Sequence, residues 1–352
     1  MDPLPVQRRL ATLCGCPELE LHAIDFPVGS KPAVGGYGSV HTCCSLNRED
    51  VVAVKFFSKA PGVAQTTFGI CVKEMVLCRL AATASPKFVV PCHSWGFTTS
   101  ATCAALSDGR PPSAATVTAS SGTSPNMVPF LVFPNRGTTL WAFLRKPPCK
   151  VDCHLKLAFI QSLVQAFNEL HAKRVVHGDL KGNNVLVGLT VPAGAASHPY
   201  LFGHGYTVKV IDFGRSIIQD LPPTCRDFED LPWNSARGWK SPEIDKTGPT
   251  RMSDVWALCM LILTIVDCPP RGYPGGTPSF EALRGIADRG HPYMCFELMR
   301  HVKDGLNIDS ARRPKALHLH ALFSNAKCPH ARPVQRILNA ERTEERAHAV
   351  HQ

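Results

Sequence analysis

The spacing of apolar and polar positions changes character once along this chain, near residue 152. Upstream, short runs in which apolar residues alternate with polar ones, each bounded by turn-forming residues, predict β-strands. They are AVGGYGSVHTC from Ala33, EDVVAVKFF ending at Phe57, VVPCHSWGF from Val89 and MVPFLVF from Met127. A helical period interrupts them at KEMVLCRLAAT, where Met75, Leu77, Cys78 and Leu80 form the expected inward face. Downstream, long helical stretches begin with CHLKLAFIQSLVQAFNELHAKR at Cys153. The pattern predicts an α+β chain, with a small mostly-β lobe followed by a larger mostly-α lobe.

Two segments break the rhythm. Residues 98–126 are rich in Ser, Thr, Ala, Pro and Gly, which predicts a flexible insertion between two strands. Residues 190–206 form a shorter interruption. The longest apolar run, VWALCMLILTIV from Val255 to Val266, is too short for a bilayer, so a buried core helix is expected and no membrane partner. The mixed charges of RILNAERTEERAHAV, near the end, predict a solvated helix.

Composition narrows the class. With 352 residues and 44% hydrophobic content, the chain can bury a substantial core and is not of the disordered class. A formal net charge of +10 suits an anionic partner such as a nucleotide or an acidic protein, and no nucleic-acid-binding module is recognisable. The 15 cysteines show neither a disulfide framework nor the paired spacing of a zinc site, and the first residues, MDPLPVQRRLATL, lack an apolar targeting core. Reduced thiols in cytoplasm or nucleus are expected. Nothing in the sequence sets an oligomeric state.

One stretch concentrates the candidate chemistry. In VVHGDLKGNNVLV, from Val175 to Val187, two apolar runs enclose a carboxylate, a lysine and two amides. The flanks read as short strands, so residues 177–184 are a loop held in place by packing, where chemistry is commonly carried. Further on, VKVIDFGRS presents Asp212-Phe213-Gly214 after another strand. Upstream, VAVK places Lys55 inside a strand, and Gly35-Gly36-Tyr37-Gly38 makes a glycine-rich turn.

Each piece alone is weak, but their order is informative. A glycine loop, a strand lysine, a helix glutamate at Glu74, a loop aspartate with asparagine, Asp-Phe-Gly and then Ser241-Pro242-Glu243 follow in sequence. Over residues 28–323 the chain resembles the eukaryotic-type protein kinase family. The resemblance implies a bilobal fold, with residues 1–27 as an N-terminal extension and 28–136 as the N-lobe and hinge. It implies a C-lobe over 137–325 and a tail over 326–352.

It also implies ATP and Mg as cofactors and a protein substrate with a serine or threonine acceptor. ATP brings several negative charges, so such a site must supply cations and positioning. The resemblance casts Lys55 as the partner of the α- and β-phosphates and Glu74 as the residue that holds it. Asp179 becomes the acceptor of the attacking hydroxyl's proton and Lys181 a neighbour of the γ-phosphate. Asn184 and Asp212 become the metal ligands, as hard oxygen donors. Ala33, Val34, Gly35, Gly36 and Gly38 would form the phosphate loop, with Val40 and Ala53 as an apolar roof over the adenine. Phe133 would sit at the back of the pocket, and the backbone from Pro134 to Arg136 would read the adenine edge. Glu243 with Arg313, and Asp254, resemble the family's structural anchors, while His177, Phe213 and Cys78 resemble an apolar column joining the lobes. The alternative reading is a pseudokinase acting as a scaffold or binding module.

The chain departs from the family at Ala33, at Gly178 where an arginine is usual, at Ala236 where serine/threonine kinases carry threonine, and at Trp239. Gly178 removes the cation that docks a phosphorylated activation segment, so activity without obligatory phosphate at Ser216, Thr224 or Ser235 is expected. The Lys181-containing loop favours serine/threonine over tyrosine. The divergence suits a viral or fast-evolving member, acting in a host cell if viral.

Overall fold

The computed structural model describes residues 15–19, 24–27, 32–35, 38–45, 51–57, 67–108, 127–145, 151–189, 205–220, 239–267, 280–289 and 296–327. The N-terminal part is an antiparallel sheet of β1 (Ile24–Asp25), β2 (Ala33–Gly35), β3 (Gly38–Ser45), β4 (Val51–Phe57), β5 (Ser94–Thr99) and β6 (Met127–Pro134). The order is β1-β3-β4-β6-β5, with β2 also pairing with β3. Residues directly opposite in an antiparallel sheet share a face. One cross-strand row therefore runs Ala33, Val40, Lys55 and Leu131, and the next holds Thr42, Ala53 and Phe133.

The two faces bury different cores. The inner face packs on helix α1 (Thr67–Ala84) through Phe57, Leu131 and Trp95, and this cluster runs on without a break into the C-terminal lobe. The outer face carries a second cluster of Val54, Phe56, Phe130 and Val132. Ile24, Phe26 and Leu106 close it from outside. On α1, Met75, Leu77 and Cys78 are buried as expected, but Leu80 is 42% exposed. At about 100° per residue it lies roughly opposite Cys78 and about 140° from Met75, away from the buried face.

Two stretches differ from their sequence reading. Residues 98–108 are ordered, not flexible: β5 runs to Thr99, and helix α2 (Ser100–Ser107) follows. Thr99 caps it by accepting from the Thr102 backbone N–H at 3.2 Å, and buried Leu106 anchors it on the outer cluster. The remainder of that segment lies outside the described residues, as do 190–204 and the tail beyond 327. The described residues of the expected N-terminal extension, 15–19 and 24–27, are built into the sheet. Leu19 donates to the Trp95 carbonyl at 2.7 Å, Trp95 donates to the carbonyl of Pro17 at 3.2 Å, and its indole Nε1 donates to that of Cys16 at 3.1 Å. With β1 on β3, this segment covers both edges of the sheet, which would otherwise expose unpaired backbone groups.

The C-terminal part is mostly helical: α3 (Leu140–Arg145), α4 (Cys153–Ala172), α5 (Ile244–Thr247), α6 (Arg251–Val266), α7 (Phe280–Arg289), α8 (Phe296–Gly305) and α9 (Ala316–Ser324). The apolar run of α6 is buried along its whole length, as expected. Short strands β7 (Thr138–Thr139), β8 (Val175–Val176), β9 (Val185–Leu189), β10 (Tyr206–Val210) and β11 (Ile217–Ile218) lie under the sheet and hold the polar loop. The lobes meet where Val90 donates to the Val210 carbonyl at 3.2 Å and Val210 donates to that of Phe88 at 2.6 Å. Among the described residues no helix is long and apolar enough to cross a membrane. Eight of their cysteines are free thiols, but Cys153 is disulfide-bonded to a partner outside them, contrary to the expectation of thiols throughout.

Arg313 fastens the helical lobe. Its guanidinium, 0% exposed, meets both Glu243 oxygens at 2.6 and 2.7 Å, donates to the Asn307 and Met252 carbonyls, and lies 4.9 Å over the Trp256 ring. Glu243→Ala would strand a buried cation, a loss of about 3–5 kcal/mol. Urea denaturation followed by tryptophan fluorescence should show this destabilisation, with far less effect from Glu281→Ala on the exposed start of α7.

Candidate active site

Lys55 is the meeting point of the site. Its ammonium lies 2.8 and 2.7 Å from the two Glu74 oxygens and 2.8 Å from Asp212 Oδ1. Each partner arrives by a different route: Lys55 from the inner face of β4, Glu74 from the middle of α1, and Asp212 from the loop after β10. Asp212 sits in the left-handed region at φ 67°, and Gly214 follows so closely under α1 that an added Cβ would lie 2.7 Å from Glu74 Oε2. Phe213 is fully buried and packs 4.9 Å from the His177 ring.

The charges are strongly interdependent. Burial pushes the Glu74 carboxyl up, to about 7, although Lys55 pulls it down. Asp212 is held at about 2: burial raises it, but Lys55 beside it outweighs that effect. Burial lowers the Lys55 pKa, and the two carboxylates more than reverse this, so it stays protonated. With the Asp212 side chain 37% exposed, the trio is enclosed on the helix side and open on the other.

The polar loop between β8 and β9 is rigidly held. Asp254, at the start of α6, accepts from the backbone N–H groups of His177 at 2.8 Å and Gly178 at 2.9 Å, and contacts His171 Nε2 at 3.0 Å. It is free to do so because Thr250 and Ser253 cap α6 between themselves. The His177 ring accepts from the Asp179 N–H at Nδ1 and donates from Nε2 to the Ile211 carbonyl. Within the loop, Lys181 Nζ contacts Asp179 Oδ2 at 2.7 Å, and Asn184 Nδ2 donates to the Asp179 carbonyl at 2.8 Å and to Oδ2 at 3.2 Å. Asp179 Oδ1 has no protein partner among the described residues.

Asn184 and Asp212 are brought together by the bond from Ile211 N–H to the Asn184 carbonyl at 3.0 Å. Because Asn184 donates through Nδ2, its amide oxygen is turned away, and Asp212 keeps Oδ2 beyond its contact with Lys55. Two hard oxygen donors with a cation behind them fit Mg, which characteristically takes one or two protein oxygens and completes its shell with phosphate and water. Among the described residues no group of three His, Cys, Asp or Glu side chains forms a metal site of its own.

The expected nucleotide walls are placed unevenly. Ala33, Val40 and Ala53 share the Lys55 face, and Gly38 has φ 151° with an added Cβ only 1.8 Å from the Phe56 carbonyl, so glycine is required there. Gly35 pairs with Gly38 at the hairpin end, and Gly36 lies outside the described residues. Val34 is turned to the outer face, opposite Ser39, and is 82% exposed; only its backbone faces the hairpin. Phe133 lies opposite Ala53 and is partly buried, while fully buried Leu131 stands opposite Lys55. Leu131 thus shares the cross-strand row of Lys55, and Phe133 lies two residues nearer the linker. The linker leaves its backbone donor at the expected position. Asn135 donates to the Val51 carbonyl at 3.0 Å and Pro134 has no N–H, which leaves exposed Arg136 as the next backbone donor.

Gly178 has φ 77°, and an added Cβ would lie 2.7 Å from the Arg215 carbonyl. Ser216, an expected phosphorylation position, is fully buried and donates to the His177 carbonyl at 2.9 Å. Thr224, Ser235 and Ala236 lie outside the described residues, and Trp239 is buried.

Comparison with known proteins agrees with this geometry. The family model described as protein tyrosine and serine/threonine kinase matches residues 118–323, more than half of the chain. Curated relatives include the mitogen-activated protein kinase kinase kinase YODA of Arabidopsis thaliana, 28% identical over 50% of this chain and 18% of its own length. An Aurora kinase of Yarrowia lipolytica is 25% identical over 46% of this chain and 39% of its own length. The serine/threonine-protein kinase fray1 of Dictyostelium discoideum is 24% identical over 49% and 29% respectively. The chain thus spans well under half the length of each. A sheet lobe over a helical lobe, a buried lysine between two carboxylates and the matched residues lead to one conclusion: the chain belongs to the protein tyrosine and serine/threonine kinase family.

Proposed function

We propose that the chain transfers the γ-phosphate of ATP to serine or threonine hydroxyls of proteins, with Mg bound. The observation that carries this reading is Lys55 held between Glu74 and Asp212 beside an intact Asp179, Lys181 and Asn184 group. Lys55 would bind the α- and β-phosphates, with Glu74 keeping its ammonium in line. The acceptor hydroxyl would approach Asp179 Oδ1, which takes its proton as the oxygen bonds the γ-phosphorus and the bond to the β-phosphate oxygen breaks. Lys181, on Asp179 Oδ2, would neutralise charge beside the γ-phosphate. Asn184 and Asp212 would hold Mg, which supplies charge neutralisation of the phosphates. Serine/threonine specificity is supported by Lys181 in this loop and by the name of the fray1 relative.

The direct test is transfer of labelled γ-phosphate to a generic basic protein. Wild type should label serine or threonine. Asp179→Asn should lower kcat by about 10²–10⁴-fold, as loss of a general base does, and Lys55→Met by about a hundredfold or more. Absence of transfer by the wild type, or transfer that survives Asp179→Asn, would remove the reading.

The pH dependence follows from Glu74. Only its ionised form pairs with Lys55, and burial lifts its pKa to about 7, so protonation as pH falls through 7 releases the lysine. The rate should therefore fall on the acid side with an apparent pKa near 7, a property of the coupled Lys55–Glu74–Asp212 group rather than of one residue. Glu74→Gln cannot ionise. Its rate should be lower throughout, with this acid limb missing from the kcat profile at saturating ATP.

A further inference from the structure

A cavity of about 10 Å³ lies beneath the segment from Trp239 to Ser241, between the loop that joins β8 to β9 and the start of α6. Gly178 and Asp179 line it from the loop, Trp239 and Ser241 from the segment, and Ser253 and Asp254 from the helix. It has room for one water molecule. Ser241 is only 3% exposed, yet its Oγ has no hydrogen-bond partner among the described residues.

Ser241 is held where it is from the far side. Two residues on, both Glu243 oxygens are gripped by Arg313 at 2.6 and 2.7 Å, and Pro242 between them fixes its own φ. Burial raises the Glu243 carboxyl, Arg313 more than reverses this, and the nearby Ser241 hydroxyl adds only a lesser pull without reaching hydrogen-bond geometry. A buried hydroxyl left without a partner costs stability, so one kept in the wall of a water-sized cavity beside Asp179 calls for an occupant that satisfies it. The other walls decide which groups can complete that occupant's bonds. Ser253 is already engaged on both sides, donating to the Thr250 carbonyl at 2.7 Å and accepting from the Thr250 N–H at 2.8 Å. Asp254 Oδ2 holds the His177 N–H and His171, but Oδ1 accepts from the Gly178 N–H alone among the described residues and keeps a lone pair.

We propose that Ser241 is a positioning residue: one internal water, accepting from its hydroxyl and donating to Asp254, ties the segment 239–241 to the loop that carries Asp179. The effect on rate rests on the phosphotransfer reading, whereas the tie itself is read without ATP. Hydrogen exchange of the full chain, followed by mass spectrometry, should show peptides spanning 175–187 exchanging roughly three- to tenfold faster in Ser241→Ala, the weight of one hydrogen bond, with α4 unchanged. Ala257→Val fills the same cavity from α6 and should match it, and the double variant should be no faster than either. In transfer assays kcat should fall by a similar factor while the KM for ATP holds. The exchange difference without any transfer by the wild type supports the tie and removes the phosphotransfer reading alone. Unchanged exchange in Ser241→Ala, a raised melting temperature as an unpartnered hydroxyl is removed, or additive effects of the two substitutions would each overturn the proposal.

Discussion

A lysine ammonium held between two carboxylates, with one side sealed by protein, is the constraint around which this fold is arranged. Burying such charges is costly unless their geometry is close to ideal and their remaining groups are satisfied. Glu74 has to come from a helix, Lys55 from the middle of a strand and Asp212 from a loop of the other lobe, so three independent elements must be fixed to within hydrogen-bonding distance. Much of the rest of the molecule serves that requirement. Fully buried Phe213 ties the Asp212 loop to the continuous core, Asp254 ties the loop between β8 and β9 to α6, and Gly214 permits the close approach to Glu74.

The sheet lobe is braced from both sides. The inner core presses α1 against Leu131, Trp95 and Phe57, and the outer core is covered by Ile24, Phe26 and the short helix ending near Leu106. Residues 15–19 run along Trp95, next to the aromatic group that Phe68 forms with Trp95 and Phe97 at the first turn of α1. An added Cβ at Gly15 would lie 3.2 Å from the guanidinium of Arg79, which itself donates to the Cys92 carbonyl at 3.4 Å. The segment before the sheet therefore reaches the helix that carries Glu74. In this arrangement the Lys55–Glu74 contact is supported by packing.

The chemistry was readable in sequence where it is local. Asp179, Lys181 and Asn184 lie within one loop, Lys55 interrupts a recognisable apolar run and Asp212 follows one, so order and spacing were sufficient to bring them forward. What escaped depends on partners far away in the chain. Leu131 comes opposite Lys55 only through strand pairing, and the same register turns Val34 outward, since a shift of one residue exchanges the faces. Residues 15–19 carry no periodic signal, because their backbone bonds go to Trp95, almost eighty positions on. The helix after Thr99 was hidden by its composition of Ser, Thr and Ala, and a single capping threonine with a single buried leucine decides it.

Gly178 gives this view its sharpest consequence. In a backbone with φ 77° and the Arg215 carbonyl at the position a Cβ would approach, the loop is held by Asp254 and carries no arginine for a phosphate to engage. The measurement that tests the central claim is the specific activity of the full chain after exhaustive phosphatase treatment, with mass spectrometry confirming that no phosphate remains. If packing alone sets Lys55 between Glu74 and Asp212, the dephosphorylated protein should keep its initial rate within about twofold. A fall of about a hundredfold, recovered only on rephosphorylation of the segment after Asp220, would show that the site is assembled by phosphate and contradict the account.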